Sequence, residues 1–172
     1  MIQFRHGFYA DVRTEDRSRT TITYKSGALE EMKTRVERRA FIRVYDGKMW
    51  YYSSVTDLAH LQKTLDGLYD AATPNADIQN DPVVRRFERN RDTLLSFADS
   101  SVRDIPSKDK QALLLSYLPL LSEDSCITMP RGTYLDRNSL FRFRSSLGAD
   151  ITYDYQTCGL SFACDMTEGE KK

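Results

Sequence analysis

Hydrophobic and polar residues alternate along the first quarter of the chain, and this period of two predicts β-strands. The first strand covers Phe8 to Arg13, and the β-branched segment from Thr20 to Lys25 is the second. A third stretch, which alternates but is less apolar, starts at Ala28. The segment 38–54 then alternates up to an Asp-Gly pair and away from it again, which predicts a β-hairpin.

The hairpin segment RRAFIRVYDGKMWYYSS turns at Asp46-Gly47. A two-residue loop of type I′, with positive φ at both residues, predicts a definite register. The predicted pairs are Val44 with Met49, Arg43 with Trp50, Ile42 with Tyr51, and Phe41 with Tyr52. One face then carries Ala40, Ile42, Val44, Met49 and Tyr51. The other carries Phe41, Arg43, Tyr45, Lys48, Trp50 and Tyr52, and this second face is unusually aromatic for a hairpin.

From Val55 the period changes to that of an amphipathic helix over 55–73. Its apolar stripe consists of Leu58, Leu61, Leu65, Leu68 and Ala72. Ser54 or Thr56 is the predicted N-cap, because these side chains accept hydrogen bonds from the first turn. A leucine stripe and an aliphatic sheet face each need cover, so we expect this helix on the Ile42/Val44 face.

Residues 76–106 differ in character, with Asn, Asp and Pro at the start and then the charged segment VVRRFERNRD. The four arginines of that segment are Arg85, Arg86, Arg89 and Arg91. A phosphate contact is one interpretation, but interleaved Glu88 and Asp92 favour a solvated linker or a short helix face. A domain boundary is therefore predicted here.

A second helix is predicted from a Ser107 cap, with Leu114, Leu118 and Leu121 as its stripe, and Pro119 must kink or end it. Strands separated by turns at 136–138 and at Leu147-Gly148 follow. The last residues, 167–172, have the composition of a hairpin loop with one arm, which predicts an open sheet edge and a truncated domain.

These patterns predict an α+β protein with a mostly antiparallel sheet. The first domain, residues 1–75, is a sheet with one covering helix. Residues 76–106 are a linker. The second domain, residues 107–172, is a helix followed by an incomplete antiparallel sheet.

The charge, the apolar runs and the cysteines of the chain bear on whether it is a nucleic-acid-binding, membrane or secreted protein. The 172 residues contain 25 basic and 25 acidic side chains, so no excess of positive charge indicates nucleic acid or an anionic membrane as partner. No apolar run is long enough to span a bilayer or to serve as a secretion signal. The three cysteines form no CxxC pair and are expected to be reduced thiols in a soluble cytoplasmic protein.

A catalytic constellation is not evident in the sequence. His6 lies near the N-terminus, and His60 has no second His or Cys three or four residues away, as a metal pair of these residues on a helix requires. Cys158 and Cys164 alone do not make a zinc site. No GxSxG elbow or phosphate-binding glycine loop is present. We therefore predict no catalytic residue and no metal ligand in this chain.

Binding remains open on the aromatic face of the hairpin. Arg43 can stack on Trp50, a cation–π contact of roughly 0.5–2 kcal/mol, and Phe41 and Tyr52 continue the row. One interpretation is that another layer of the same fold covers this face, and this is favoured. The other is a peptide or partner surface, because Trp, Tyr and Arg are enriched at interfaces.

The order of these segments resembles the TldD/PmbA family. The matching segments are YADVRTEDRSRTTITYKSGALEEM, RRAFIRVYDGKMWYYSS, TDLAHLQKTLDGL and FRFRSSLGADITYDYQTCGLSF. Within them, the family pattern places an Arg before an Asp-Gly turn and an aromatic strand, as Arg43, Asp46 and Trp50 do. The resemblance covers nearly the whole chain. It implies a zinc metallopeptidase from a family once regarded as modulators of DNA gyrase.

Three features of the family pattern are missing from this sequence, and they limit what the resemblance implies for it. The zinc-binding His-Glu-x-x-x-His motif and a later cysteine are missing, so zinc is implied for full-length members but no cofactor for this chain. The long N-terminal helix of the family is missing too. Members form homo- or heterodimers and admit unfolded peptides. The chain is thus expected to be the N-terminal substrate-handling and assembly region, inactive by itself.

Two other functions compete with this hypothesis. The first is a stand-alone, non-catalytic module that binds a peptide or partner through Phe41, Arg43, Trp50 and Tyr52. The second is a nucleic-acid role, which the older view of the family as gyrase modulators and the arginine cluster raise and the neutral composition disfavours.

Overall fold

The computed structural model describes residues 2–167, with only the backbone of Ser122, and the expected end of the hairpin loop, 168–172, lies outside this part. It contains one mostly antiparallel sheet of six strands and two α-helices, which confirms the α+β class. The strands follow the order β3-β2-β1-β5-β6-β4. The elements are β1 (Tyr9–Lys25), β2 (Ala28–Tyr45), β3 (Trp50–Val55), α1 (Leu61–Ala71), β4 (Arg91–Leu94), α2 (Ser107–Tyr117), β5 (Ile127–Ser145) and β6 (Asp150–Met166).

The chain forms two compact units that interleave along the sequence. The first unit contains residues 2–16, 37–96 and 140–154. The second contains residues 17–36, 97–139 and 155–167. The predicted domain boundaries, which follow the chain in simple order, stay a prediction.

Helix α1 packs on the predicted face of the sheet in the first unit. Leu61 and Leu65 are buried there against three residues of β2, namely Ala40, Ile42 and Val44. The predicted start of the helix at Val55 is wrong, because β3 continues to that residue. The predicted caps Ser54 and Thr56 are wrong as well. Asp57 instead accepts a hydrogen bond of 3.0 Å from the Ala59 N–H and caps a short 3-10 helix, Leu58–His60, that precedes α1.

The hairpin between β2 and β3 is confirmed, but its predicted register is wrong by two residues. The observed pairs are Ala40 with Val55, Phe41 with Ser54, Ile42 with Ser53, Arg43 with Tyr52, Val44 with Tyr51, and Tyr45 with Trp50. The loop is therefore longer than the Asp-Gly pair, and of the two only Gly47 has a positive φ, 97°. Side chains alternate with a period of two, so a shift of two residues leaves each on its predicted face. Met49, expected on the covered face, lies in the loop and is 61% exposed.

The segment predicted as a linker is folded and partly buried. It contains the 3-10 helices Ile78–Asn80 and Val84–Arg86. It also forms β4, which pairs with β6 in parallel. Ile78 and Val84 are buried in an aromatic cluster of the first unit. The polar composition of the segment concealed these two anchors.

Helix α2 belongs to the second unit, where Leu114 packs against Ile22, Tyr24 and Tyr134. Ser107 is the first residue of the helix rather than its predicted cap, because Pro106 occupies the cap position. The helix ends at Tyr117, before Pro119, as predicted, and a 3-10 helix follows over Leu118–Ser122.

Strand β5 is continuous through residues 136–138, so the predicted turn there is wrong. The Asp136 carboxylate accepts hydrogen bonds from the Thr20 N–H at 3.0 Å and the Tyr134 hydroxyl at 2.9 Å. It also pairs with the Lys110 ammonium at 2.5 Å. These long-range partners replace the local turn that Asp and Asn favour. The turn at Leu147-Gly148 is confirmed, with a φ of 94° at Gly148.

In the part of the chain that the structure describes, no helix is both long enough and apolar enough to cross a membrane.

Candidate functional site

The candidate site lies on the hairpin face that α1 does not cover. We call it the outer hairpin face and define it by Phe41, Arg43, Trp50 and Tyr52. Phe41 and Arg43 alternate on β2, and the observed register pairs Arg43 directly with Tyr52. The structure therefore brings together all four residues that the sequence singled out.

The carboxylate of Asp46 holds the hairpin loop in shape. It accepts hydrogen bonds from the N–H groups of Lys48 and Met49, both at 2.8 Å, and from the Tyr51 hydroxyl at 3.2 Å. Burial disfavours the charged form of this carboxylate, but the backbone donors and Tyr51 outweigh it, so the pKa of Asp46 lies below its ordinary value. An ionised aspartate is thus part of the loop.

Arg43 is fixed by a buried aspartate on the neighbouring strand. The Asp11 carboxylate, only 3% exposed, accepts from Arg43 Nη2 at 2.7 Å and from Nε at 3.1 Å. This is a bidentate pair. The hydrogen bond to Asp11 is the main reason why the pKa of Arg43 is raised. The guanidinium also lies 4.8 Å from the centroid of the Trp50 ring, which confirms the predicted stacking.

Trp50 continues into a cluster of aromatic rings at one end of the outer hairpin face. Its ring stacks on Tyr45 at 4.8 Å and meets Tyr9 and Phe87 edge-on at 5.8 and 6.2 Å. Tyr9 and Phe87 stack on each other at 4.5 Å. Burial, and then the charge of Asp11, raise the pKa of Tyr9 above its ordinary value. The segment with Ile78 and Val84 supplies the cover at this end.

Phe41 and Tyr52 remain open at the other end. Their rings are 6.2 Å apart and tilted by 39°, and they are 44% and 69% exposed. The sequence left two interpretations of this face, cover by another layer of the same fold and an open binding surface, and each describes one end of it. A layer of the same unit covers the Trp50 end, while the aromatic pair faces outward beside a fixed arginine.

Sequence reasoning missed the partners that give this face its geometry. The alternation places Asp11 on a strand but does not indicate Arg43 as its partner, and the charged composition around Phe87 indicates a solvated linker. The available signal was an acidic residue within the apolar strand YADV, because a charge on a buried strand needs a partner.

The described residues offer no metal centre. Residues 2–167 contain no group of three or more His, Cys, Asp or Glu side chains placed to hold a metal ion. His60 instead pairs with Asp57 at 2.9 Å, and the three cysteines are free. What the outer hairpin face offers chemically is stacking and hydrogen bonding.

The comparison with protein-family models gives a match in the first half of the chain. Residues 10–72 match the family model of PmbA/TldA metallopeptidase domain 1. Among the curated proteins, none matches the sequence significantly.

Solved structures show the same fold over a longer stretch. A Bacteroides thetaiotaomicron protein described as a modulator of DNA gyrase superposes with a TM-score of 0.74 at 15% identity, covering 95% of this chain and 38% of that one. A Thermotoga maritima protein with a similar description gives 0.67 at 15% identity, covering 92% and 35%. TldE from Thermococcus kodakarensis gives 0.69 at 8% identity, covering 94% and 37%. The chain thus spans little more than a third of these structures, and likenesses at such low identity establish the fold.

Proposed function

We propose that this chain, whose residues 10–72 match domain 1 of the PmbA/TldA metallopeptidases, belongs to the TldD/PmbA family and is the substrate-handling and assembly region of a zinc metallopeptidase. Peptide hydrolysis belongs to the full-length protein in this proposal, and this region binds peptide or a partner subunit. A cytoplasmic location is part of the proposal, because free thiols suit a reducing compartment.

The observation that carries the proposal is the open end of the outer hairpin face. Phe41 and Tyr52 present two rigid rings to solvent, and large aromatic side chains are typical anchors at binding surfaces. Arg43 lies beside them with its orientation fixed by Asp11. The pair with Asp11 uses two of the five guanidinium N–H groups, so three remain for a carbonyl or carboxylate of a ligand.

This arrangement suits an extended peptide better than a small polar ligand. An apolar peptide side chain would lie against the two rings, while the peptide backbone accepts hydrogen bonds from Arg43. Preorganisation lowers the entropy that binding costs. A dimer partner of the same family could supply such a segment as well as an unfolded substrate could.

The test measures binding of a labelled, uncharged, Leu- and Phe-rich peptide to the chain by fluorescence anisotropy. The double variant Phe41→Ala/Tyr52→Ala is expected to bind about tenfold or more weakly, as truncation of interface anchors does. Tyr117→Ala is the matched control, because Tyr117 is 43% exposed and makes a similar tilted ring contact, 6.1 Å from Phe162. Equal binding by the double variant and the control would refute the proposed peptide site.

The assembly role has its own readout. If a second copy occupies the outer hairpin face, sedimentation equilibrium will show an oligomer that Phe41→Ala/Tyr52→Ala dissociates and Tyr117→Ala does not. Because the sequence lacks the family's His-Glu-x-x-x-His motif, we expect the pure chain to hydrolyse no peptide with or without added zinc. Zinc-dependent hydrolysis by the pure chain would contradict the proposal that hydrolysis belongs to the full-length protein and binding to this region.

A further inference from the structure

One face of the sheet in the second unit carries an excess of positive charge. We call it the basic sheet face and define it by Arg17, Arg19, Lys33, Arg35 and Arg137. These residues line two adjoining concavities of about 220 and 410 Å³ that share Arg19.

The basic sheet face is the side of β1 that points away from α2. Thr20 faces α2, since its hydroxyl lies 3.3 Å from the Lys110 ammonium. Ile22 and Tyr24 pack on that side too. Successive strand residues point to opposite sides, so Arg17 and Arg19 face the other way.

The charges at the centre of this face are not balanced within the unit. Among residues 2–167, no carboxylate forms an ion pair with Arg19, Lys33 or Arg35. Two carboxylates also line the concavities. The charge of Asp136 is already met by Lys110, so within residues 2–167 Glu31 is the one other acidic side chain that lines the two concavities.

The first unit shows the opposite arrangement along the same two strands. There Arg38 pairs with Asp16, Arg39 with Glu15, and Arg43 with Asp11, at distances between 2.6 and 2.8 Å. Basic residues on β2 are therefore matched with acidic residues on β1 in that unit. In the second unit, β1 carries Arg19 instead of an acidic residue on the side where Lys33 and Arg35 of β2 lie. An acidic partner for these cations therefore has to come from another molecule.

We propose that the basic sheet face binds an acidic segment of an extended peptide. Lys33 and Arg35 are two residues apart on β2, which spaces them by roughly 6.5–7 Å. Alternate side chains of an extended peptide have the same spacing, so carboxylates at every second position meet successive cations. The inference rests on the proposed function in taking the ligand to be a peptide, but it concerns a different surface from the outer hairpin face.

A peptide fits the lining better than a nucleic acid does. Proteins that bind single strands combine basic grooves with aromatic side chains on which the bases stack. The side chains that line these concavities include no aromatic ring. The chain as a whole is also neutral, with 25 basic and 25 acidic residues, whereas nucleic-acid-binding domains are typically basic.

The test titrates the chain with a fluorescein-labelled peptide of about ten residues in which Glu and Ser alternate. We expect binding that weakens as salt is raised, because exposed charge pairs are screened. The same peptide with Gln for Glu is expected to bind at least tenfold more weakly.

The double variant Arg19→Gln/Arg35→Gln is expected to lose about tenfold in affinity for the acidic peptide. Its matched control is Arg85→Gln/Arg86→Gln, which removes two exposed arginines of the first unit and is expected to change the affinity less than twofold. Lys33→Glu is a second variant, which reverses one charge and serves if the double variant fails to fold. An unchanged near-ultraviolet circular dichroism spectrum is the folding criterion.

Four results would overturn the proposal. These are equal binding of the Gln peptide, equal loss in the control, an oligothymidylate that competes as strongly as the acidic peptide, and a dimer that Arg19→Gln/Arg35→Gln dissociates. The last two would assign the face to nucleic acid or to a second copy of the chain. The Phe41→Ala/Tyr52→Ala variant separates this inference from the proposed function, since it is expected to bind the acidic peptide normally.

Discussion

The two units each cover the sheet with one α-helix, but the two contacts have different chemistry. Helix α1 contributes Leu61, Leu65 and Tyr69 to a cluster of entirely hydrophobic buried residues. Helix α2 contributes one leucine, Leu114, and a lysine, Lys110, that is 4% exposed. The first contact depends on burial of apolar surface, and the second adds a buried ion pair.

The difference matters for stability because the two chemistries fail differently. Truncating an apolar side chain costs the transfer free energy plus the cavity it leaves. Removing one member of a buried ion pair leaves the other charge without a partner in a poorly solvated place, which costs more. The comparison therefore predicts that the most sensitive single position lies in the second unit.

The largest effect is expected for Asp136→Ala. The variant leaves the Lys110 ammonium, which lies 2.5 Å from Asp136, buried without its counter-ion, and a loss of about 3–5 kcal/mol in the free energy of unfolding is expected. Urea unfolding followed by far-ultraviolet circular dichroism measures it. Replacing both partners, as Lys110→Met/Asp136→Asn, removes both charges and keeps an oxygen acceptor for the Thr20 N–H, so this double variant is expected to lose less stability than Asp136→Ala. If Asp136→Ala were as stable as the double variant, the expected cost of leaving Lys110 unpaired would be wrong.

Leu65→Ala attacks the apolar contact of the first unit. Leu65 is 0% exposed, and its truncation is expected to cost about 2–4 kcal/mol. The single tryptophan, Trp50, lies in this unit, so its fluorescence during urea unfolding reports the loss. Leu68→Ala is the control, because Leu68 is only partly buried in the same cluster and should lose less. Equal losses would mean that burial in the cluster does not determine the cost.

Asp46→Ala tests the main polar contribution to the hairpin of the first unit. Removing an ionised acceptor of three hydrogen bonds is expected to cost roughly 2 kcal/mol near neutral pH. The pKa of Asp46 is lower in the folded chain, so this stabilisation is complete above the ordinary carboxylate pKa of 3.8 and disappears as the pH falls through the folded value. Unfolding of both proteins at pH values across this range should show the difference shrinking with acidity. A constant difference would refute the role of the charge.

The smallest effect is expected for Arg142→Gln. Arg142 pairs with Asp150 at 2.7 Å, but the two side chains are 47% and 39% exposed. An exposed pair contributes only about 0.2–1 kcal/mol and is screened by salt. Urea unfolding at low and high salt measures this contribution. A loss comparable to that of Asp136→Ala would show that burial is not what separates the two ion pairs.

The local pattern of the sequence determined much of the first unit. Alternation in 38–54 was enough to place Ile42 and Val44 on one face and Arg43 and Trp50 on the other, even though the register was wrong. The leucine stripe identified the helix that covers the aliphatic face. Both inferences depend only on periodicity, which a shift of two residues does not change.

Tertiary contacts decided what periodicity could not reveal. The local sequence around Asp136 predicts a turn, but the Asp136 carboxylate pairs with Lys110. It also accepts a hydrogen bond from the N–H of Thr20, which is more than a hundred residues away in sequence. The segment with Ile78 and Val84 reads as a polar linker, but its two apolar side chains anchor it over Trp50. Single buried contacts of this kind leave no repeating pattern in the sequence.

The sequence by itself thus determined the fold class, the two helices, the faces of the hairpin and the family resemblance, because each is encoded in many residues at regular spacing. Only the tertiary structure decided which charges are paired. It matched the arginines of β2 with acidic partners in the first unit and left Arg19, Lys33 and Arg35 without an ion pair within residues 2–167. Charge pairing depends on the distance between side chains on different strands, and that distance is fixed only when the strands come together.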